Sequence, residues 1–148
     1  MSKEHPDHHD LDLTLKLYEM RREPVTRASR DALNFTFWPR SYADIKEVSS
    51  NPKNPLNAAW RQMSSYWEMV YGFARHGLCN ADFLIENNGE GLFLFAKIYP
   101  YLKELRAESS PTAFQSCEWI SENCEIGKKR FAMVQSRVKH FAELMAKQ

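Results

Sequence analysis

Long apolar runs are absent from this chain of 148 residues. The longest, residues 92–96, is far shorter than the about 20 residues that a membrane-spanning helix requires. The first twelve residues are polar and acidic, and they lack the apolar segment of a secretory signal peptide. These absences predict a soluble, cytoplasmic protein without a membrane partner.

Cysteine is scarce, and the chain has no disulfide or metal pattern. Cys79, Cys117 and Cys124 are an odd number of cysteines without a Cys-x-x-Cys pair, which favours reduced thiols in a bacterial-type cytoplasm. The sequence contains neither a Glu-x-x-His nor a His-Glu-x-x-His motif. The histidines within residues 5–9 lie on a segment that we expect to be flexible, where a preformed metal geometry is not expected. We therefore expect no metal and no cofactor.

Neither positive nor negative side chains are in clear excess. The net charge is +1 at pH 7, which argues against a general nucleic-acid-binding role. Residues 80–126 hold 3 basic and 8 acidic side chains, a difference of −5, whereas residues 127–148 hold 6 and 1, a difference of +5. The helices flanking Gly77 do not suit a helix-turn-helix reader, because the second would present acidic residues to DNA. We expect no nucleic-acid partner, and we expect the basic C-terminal helix to lie beside the acidic middle of the chain.

Alternating β-branched runs between hairpin turns are absent, whereas helical spacings recur. The strongest helical pattern begins after Asn54-Pro55, a favourable cap and first turn, and ends before Gly77, a favourable stop. It predicts a long helix over about residues 55–76. Its apolar positions alternate by four and three, so they form one stripe that must be covered. The stripe consists of Leu56, Trp60, Met63, Trp67, Val70 and Ala74.

Two further helices carry strong apolar patterns. Residues 92–105 are apolar nearly all round, which predicts a buried helix over about residues 90–106 that bends at Pro100. A final helix carries a second spaced stripe. We predict an all-α protein, a single-domain bundle of six to eight helices in which the long helix packs on the buried one. Residues 1–9 are expected to form a flexible N-terminal arm, and residues 10–148 a single helical domain. The final stripe consists of Phe131, Val134, Val138, Phe141 and Met145.

Three segments together resemble a known group of proteins. They are residues 17–24, Leu-Tyr-Glu-Met-Arg-Arg-Glu-Pro; residues 66–77, from Tyr-Trp to Arg-His-Gly; and residues 88–98, with Asn-Gly-Glu and Phe-Ala-Lys-Ile. The set is similar to small bacterial all-helical proteins classed as a domain of unknown function, over roughly residues 11–108. The resemblance implies a soluble, all-helical fold. It implies no substrate, cofactor or catalytic residue.

Glu90 is the first candidate for a functional residue, because it lies between two glycines and directly before the most apolar run. A partly buried carboxylate must be paired or lose its charge. One interpretation is a structural ion pair with Arg21 or Arg22. The alternative is a ligand-binding site with an aromatic pocket around Glu90. Its candidate residues are Glu90, Asn88, His76, Tyr71 and Trp67, with Trp60 and Phe95 as further pocket aromatics.

Catalytic motifs are absent. The chain has no Gly-x-Ser-x-Gly elbow and no glycine-rich phosphate loop, and Cys79, near a helix start, is more typical of a core residue than of a reactive thiol. The sequence favours a non-enzymatic protein that acts through protein–protein interaction or self-association. We expect a homodimer that buries one aromatic stripe between subunits. The alternative is a small-molecule binding protein or a cryptic enzyme.

Overall fold

The computed structural model describes residues 3–148, and residues 1 and 2 of the expected arm lie outside it. Between residues 3 and 148 the chain is helical, without strands, which confirms the predicted all-α bundle. The elements are α1 (His8–Arg22), α2 (Pro24–Thr36), α3 (Tyr42–Ser50), α4 (Asn57–Arg75), α5 (Ala81–Asn87), α6 (Gly91–Ile98), a 3-10 turn (Tyr99–Tyr101), α7 (Leu102–Glu108), α8 (Gln115–Asn123) and α9 (Glu125–Ala146). These described helices number eight when α6, the 3-10 turn and α7 are counted as one bent helix.

The long helix α4 lies at the centre of the fold. It packs mainly against α2 and α8, and it also contacts α3 and α5. Its predicted stripe is buried from Trp60 to Ala74. The second predicted helix approaches α4 at Gly91, where α6 begins, and then packs against α9. The stripe that the sequence predicts for α4 is thus covered within one subunit.

The predicted stop at Gly77 and the predicted bend at Pro100 are confirmed, whereas the start of the long helix is displaced. Gly77 ends α4 in the left-handed conformation (φ 73°), and the Asn80 side chain caps α5 by accepting the amide of Phe83 at 2.8 Å. Pro100 interrupts the buried helix in a 3-10 turn. The start of α4 is Asn57 rather than residue 55, because the Asn54 side chain accepts the amide of Leu56 and closes a turn before the helix.

The N-terminal segment is tied to α5. Helix α1 begins at His8 with Asp7 as its cap, so the predicted boundary at residue 9 falls inside the helix. Asp10 is buried, and its carboxylate lies 2.7 Å from the Lys3 ammonium and accepts the amide of Asn80 at 2.7 Å. Burial alone would raise the pKa of Asp10, but hydrogen bonds from Lys3 and Asn80 outweigh it and hold the pKa below its usual value.

The last helix closes the core. α9 lies against α5, α6 and α8, the acidic middle of the chain, as the charge distribution predicts. Its Phe131 stacks on Phe95 with ring centroids 5.2 Å apart, and Phe95 in turn stacks on Phe114 at 6.0 Å. Across the described range, residues 3–148, no helix has both the length and the apolar character needed to cross a membrane.

Candidate functional site

Glu90 lies in the turn between α5 and α6 and is paired with two side chains of α2. Arg30 Nε donates to Glu90 Oε2 at 2.6 Å, and the amide group of Asn34, one turn further along α2, donates to Oε1. About a quarter of the Glu90 side chain is exposed (24%). The partner is therefore Arg30, and the expected pairing with Arg21 or Arg22 is wrong. The Arg21 side chain instead reaches the carbonyl of Asn87 at 3.4 Å, on the other side of the turn.

Two aromatic residues of α4, Tyr71 and Trp67, pack against the segment of this turn. Asn88 is fully buried, and its backbone carbonyl accepts a hydrogen bond of 2.8 Å from the Tyr71 hydroxyl. Tyr71 stacks on Trp67 with centroids 5.7 Å apart. Burial raises the pKa of Tyr71 well above its usual value, so the hydroxyl stays protonated and can donate. A Cβ on Gly91 would lie 2.6 Å from the Trp67 ring, which makes glycine necessary for this approach.

The structure brings four of the five predicted site residues together and leaves one apart. Glu90 and Asn88 form the turn, and Tyr71 and Trp67 lie beneath it. His76 lies at the C-terminal cap of α4, with its ring 3.2 Å from the Arg75 guanidinium. Trp67, Tyr71 and Phe95, which were expected to line an aromatic pocket, are buried in the core; Trp60 lines a separate surface cleft.

A cleft of about 520 Å³ opens beside Glu90, between the α5–α6 turn and α9. This volume is within the range of about 300–1,000 Å³ common for small-molecule sites. One wall carries Arg130 and Arg137 of α9, and the other carries carboxylates and amides. We call the apolar side chains of Phe93, Met133 and Val134 the floor. The remaining lining residues are Asn34, Glu86, Asn87, Gly89 and Glu90.

Sequence reasoning did not connect the two arginines with Glu90. Arg130 and Arg137 are seven residues apart, so they lie on one face of α9. That spacing was a signal for a shared surface. It could not identify the opposite wall, because the contact between α9 and the α5–α6 turn joins segments about 40 residues apart. Arg130 makes this contact itself, since its Nη1 donates to the carbonyls of Ile85 (2.9 Å) and Glu86 (3.2 Å).

Lys97 is a second charged group that the sequence did not single out. Its side chain is buried, and Nζ donates to the carbonyls of Leu33 (2.7 Å) and Asn34 (3.0 Å) in the last turn of α2. The ammonium lies 3.9 Å from the centroid of the Trp38 ring. Burial lowers the pKa of Lys97 to about 7. This lysine satisfies carbonyls that the end of α2 leaves open.

The far end of α9 extends beyond the core. Val134 is its last buried residue. We call the apolar residues that follow, Val138, Phe141, Leu144 and Met145, the distal stripe. Phe141 and Leu144 are each 44% exposed and Met145 is 38% exposed. Phe141 touches Trp38, with ring centroids 6.0 Å apart, so the stripe is continuous with the edge of the domain.

The cysteines and histidines do not form a reactive or metal-binding centre in the part of the chain that the structure describes. Cys79, Cys117 and Cys124 are free and buried. Burial raises the pKa of Cys79 to about 11, so its thiol is protonated at neutral pH. Among residues 3–148, no three side chains of His, Cys, Asp or Glu converge as metal ligands would.

The fold and the cleft define the class: a single-domain, all-helical protein with a mixed-charge cleft against its last helix. A family model described as a domain of unknown function (DUF4760) matches residues 6–124, and the chain belongs to this family. The match ends at Cys124, the cap of α9, so α9 lies outside it. No curated protein and no solved structure matches the chain.

Proposed function

We propose that the protein is a non-enzymatic helical protein that self-associates as a homodimer through the distal stripe of α9. The observation that carries this proposal is the exposure of an apolar stripe after its buried half has ended. The apolar stripes of α4 and α6 are covered inside the subunit. The stripe of α9 is buried as far as Val134, half-buried at Val138 and exposed beyond it.

A second copy of the chain is the occupant that fits this surface. The stripe continues the four-and-three spacing of Val134, Val138, Phe141 and Met145, which is the spacing of paired helices. A two-fold axis pairs a surface with itself, so one exposed stripe supplies both halves of the interface. The helical segment after Val134 is short, 12 residues or about 18 Å of helix. We therefore expect a weak dimer, with a Kd on the order of micromolar.

Sedimentation-velocity ultracentrifugation across a range of protein concentrations tests this proposal. The wild-type protein should shift from monomer to dimer as the concentration rises. Leu144→Glu should remain monomeric, because a charge in the stripe is costly to bury. The matched control is Leu78→Glu: Leu78 is also exposed (68%), but it lies in the turn after α4. A monomer at every concentration, or equal loss of dimer in both variants, overturns the proposal.

We place this association in the cytoplasm of a bacterium, as expected from the sequence, and without a nucleic-acid partner. The three free, buried thiols agree with a reducing compartment. Measuring how the endogenous protein partitions between cytoplasmic, periplasmic and membrane fractions tests this location. Recovery outside the cytoplasmic fraction contradicts it.

A second candidate function is small-molecule binding beside Glu90, with Asn88, Tyr71 and Trp67 holding the turn in place and His76 outside the site. The specific observation in its favour is the cleft of about 520 Å³ between this turn and α9. Native mass spectrometry of protein purified without denaturation tests it. A stoichiometric adduct that is lost in Met133→Trp, whose larger side chain fills the cleft, supports the site, and an adduct that persists in this variant contradicts it.

A further inference from the structure

We infer that the cleft beside Glu90 binds a small amphipathic anion, whose carboxylate or phosphate group lies between Arg130 and Arg137 and whose apolar part lies on the floor. The inference rests on the second candidate function, small-molecule binding at this cleft, and it is independent of self-association. Three features support the inference: the placement of Arg130 and Arg137, the net charge at the cleft, and the apolar residues of its floor.

The Arg130 guanidinium is held in place at the cleft and has N–H groups left to bind a ligand. Its Nη1 is held by two carbonyls at the end of α5, which fixes the guanidinium at the cleft. Nε and Nη2 donate to no protein group in residues 3–148. Gly89 permits this position, because a Cβ there would lie 2.8 Å from Arg130 Nη1. A planar guanidinium with free donors suits an oxyanion better than an ammonium does.

Arg137 adds a second cation two turns further along the same face of α9. It lines the cleft and, within residues 3–148, makes no ion pair and no side-chain hydrogen bond. Two guanidinium groups on one wall can hold the two or three oxygens of a carboxylate or phosphate group from two directions. Arg137 is exposed, so its guanidinium is accessible to an anion in the cleft.

The carboxylates in the cleft do not neutralise this wall. Glu90 is occupied by Arg30 and Asn34 of α2, so its charge is compensated on the opposite side. Glu86 lines the cleft and is exposed, and its carboxylate forms no ion pair with either arginine. Arg30 lies outside the lining but neutralises Glu90, so Arg130 and Arg137 against Glu86 leave a net charge of +1. The field in the cleft therefore favours an anion of charge −1 or −2.

The floor sets the other requirement of the ligand. Phe93 of α6 and Met133 and Val134 of α9 are the apolar side chains that line the cleft. Met133 is 45% exposed, so its side chain is accessible to a ligand. A ligand with an aliphatic or aromatic part would cover this surface, whereas an inorganic anion would not. The site thus fits an organic acid or an organic phosphate with an apolar body.

Isothermal titration calorimetry with four probes tests the inference. The probes are octanoate and octyl phosphate, which are amphipathic anions; octyl glucoside, below its critical micelle concentration, which has the chain without the charge; and inorganic phosphate, which has the charge without the chain. We expect at least one of the two amphipathic anions to bind with 1:1 stoichiometry, at least about tenfold more tightly than the last two probes. The tighter anion shows whether the site prefers carboxylate or phosphate. Comparable binding of octyl glucoside overturns the role of the arginines, and comparable binding of inorganic phosphate overturns the role of the floor.

A pair of matched variants assigns the binding to the cleft. Arg137→Gln should weaken binding of the amphipathic anion by about tenfold, equivalent to about 1.4 kcal/mol, because it removes a charged hydrogen bond. It should leave the melting temperature unchanged, since Arg137 has no partner in the described structure. Arg61→Gln is the control, because Arg61 is exposed on α4, away from the cleft. This variant should bind the amphipathic anion as tightly as the wild-type protein does. Equal affinity of both variants, or no binding of either anion to the wild-type protein, overturns the inference.

Discussion

Arg30 and Glu90, 60 residues apart in the sequence, form an ion pair with a 2.6 Å contact between Nε and Oε2. The pair joins α2 to the turn that separates α5 from α6. It gives Glu90 a structural role in addition to its place at the cleft.

Removing the charge of Glu90 should destabilise the protein. Glu90→Gln replaces the ion pair and leaves Arg30 partly buried without a counter-charge, which should lower the free energy of unfolding by about 1–3 kcal/mol. Urea denaturation measures this change. Glu86→Gln is the control, because Glu86 is exposed and lies one turn earlier. Equal stability of the two variants would show that the pair contributes nothing measurable.

Two glycines on the faces of α6 and α4 should respond to alanine in opposite ways. Gly91→Ala should lower the free energy of unfolding by about 1–3 kcal/mol, because its Cβ would lie 2.6 Å from the Trp67 ring. At Gly72 of α4 the nearest atom to a Cβ is Ser116 Oγ at 3.5 Å, so Gly72→Ala should stabilise the helix by up to about 1 kcal/mol. Thermal unfolding followed by circular dichroism compares the two. A neutral Gly91→Ala variant contradicts the close approach.

The buried Lys97 should make stability rise with pH. Burial lowers its pKa in the folded protein to about 7, from 10.5 in the unfolded chain. Between these values the unfolded state holds a proton that the folded state has released, so stability increases with pH, by at most about 1.4 kcal/mol per pH unit. We expect the wild type to gain stability relative to Lys97→Met between pH 7 and pH 9, measured by urea denaturation. A constant difference over this range contradicts a lowered pKa.

The Asp10 carboxylate should make the stability of the protein fall at acidic pH. Its pKa is held below the value of the unfolded chain, so its stabilisation is complete above the unfolded pKa and is lost as the pH falls through the folded pKa. Between pH 6 and pH 2 the wild type should lose more stability than Asp10→Asn. Asp12→Asn, at an exposed position of the same helix, should follow the wild type. Parallel curves for wild type and Asp10→Asn would refute the contribution of the Lys3 and Asn80 contacts.

Local patterns predicted the helices well, because their causes are local. The spacing from Trp60 to Ala74 and the stop at Gly77 each depend on residues within a few positions of one another. The choice of Arg30 over Arg21 was not predictable in this way, since it depends on how α2 crosses the turn that follows α5. The burial of Lys97 depends on the same crossing. The cleft could be found only once α9 was placed beside that turn.

The family match ends where α9 begins, although α9 completes the core of the domain. α9 contributes Phe131 and Val134 to the core, and substitutions at these positions must preserve their volume. Its other residues supply one wall of the cleft and the whole distal stripe. Under both proposals, recognition therefore depends on one terminal helix that the domain also needs to close its core.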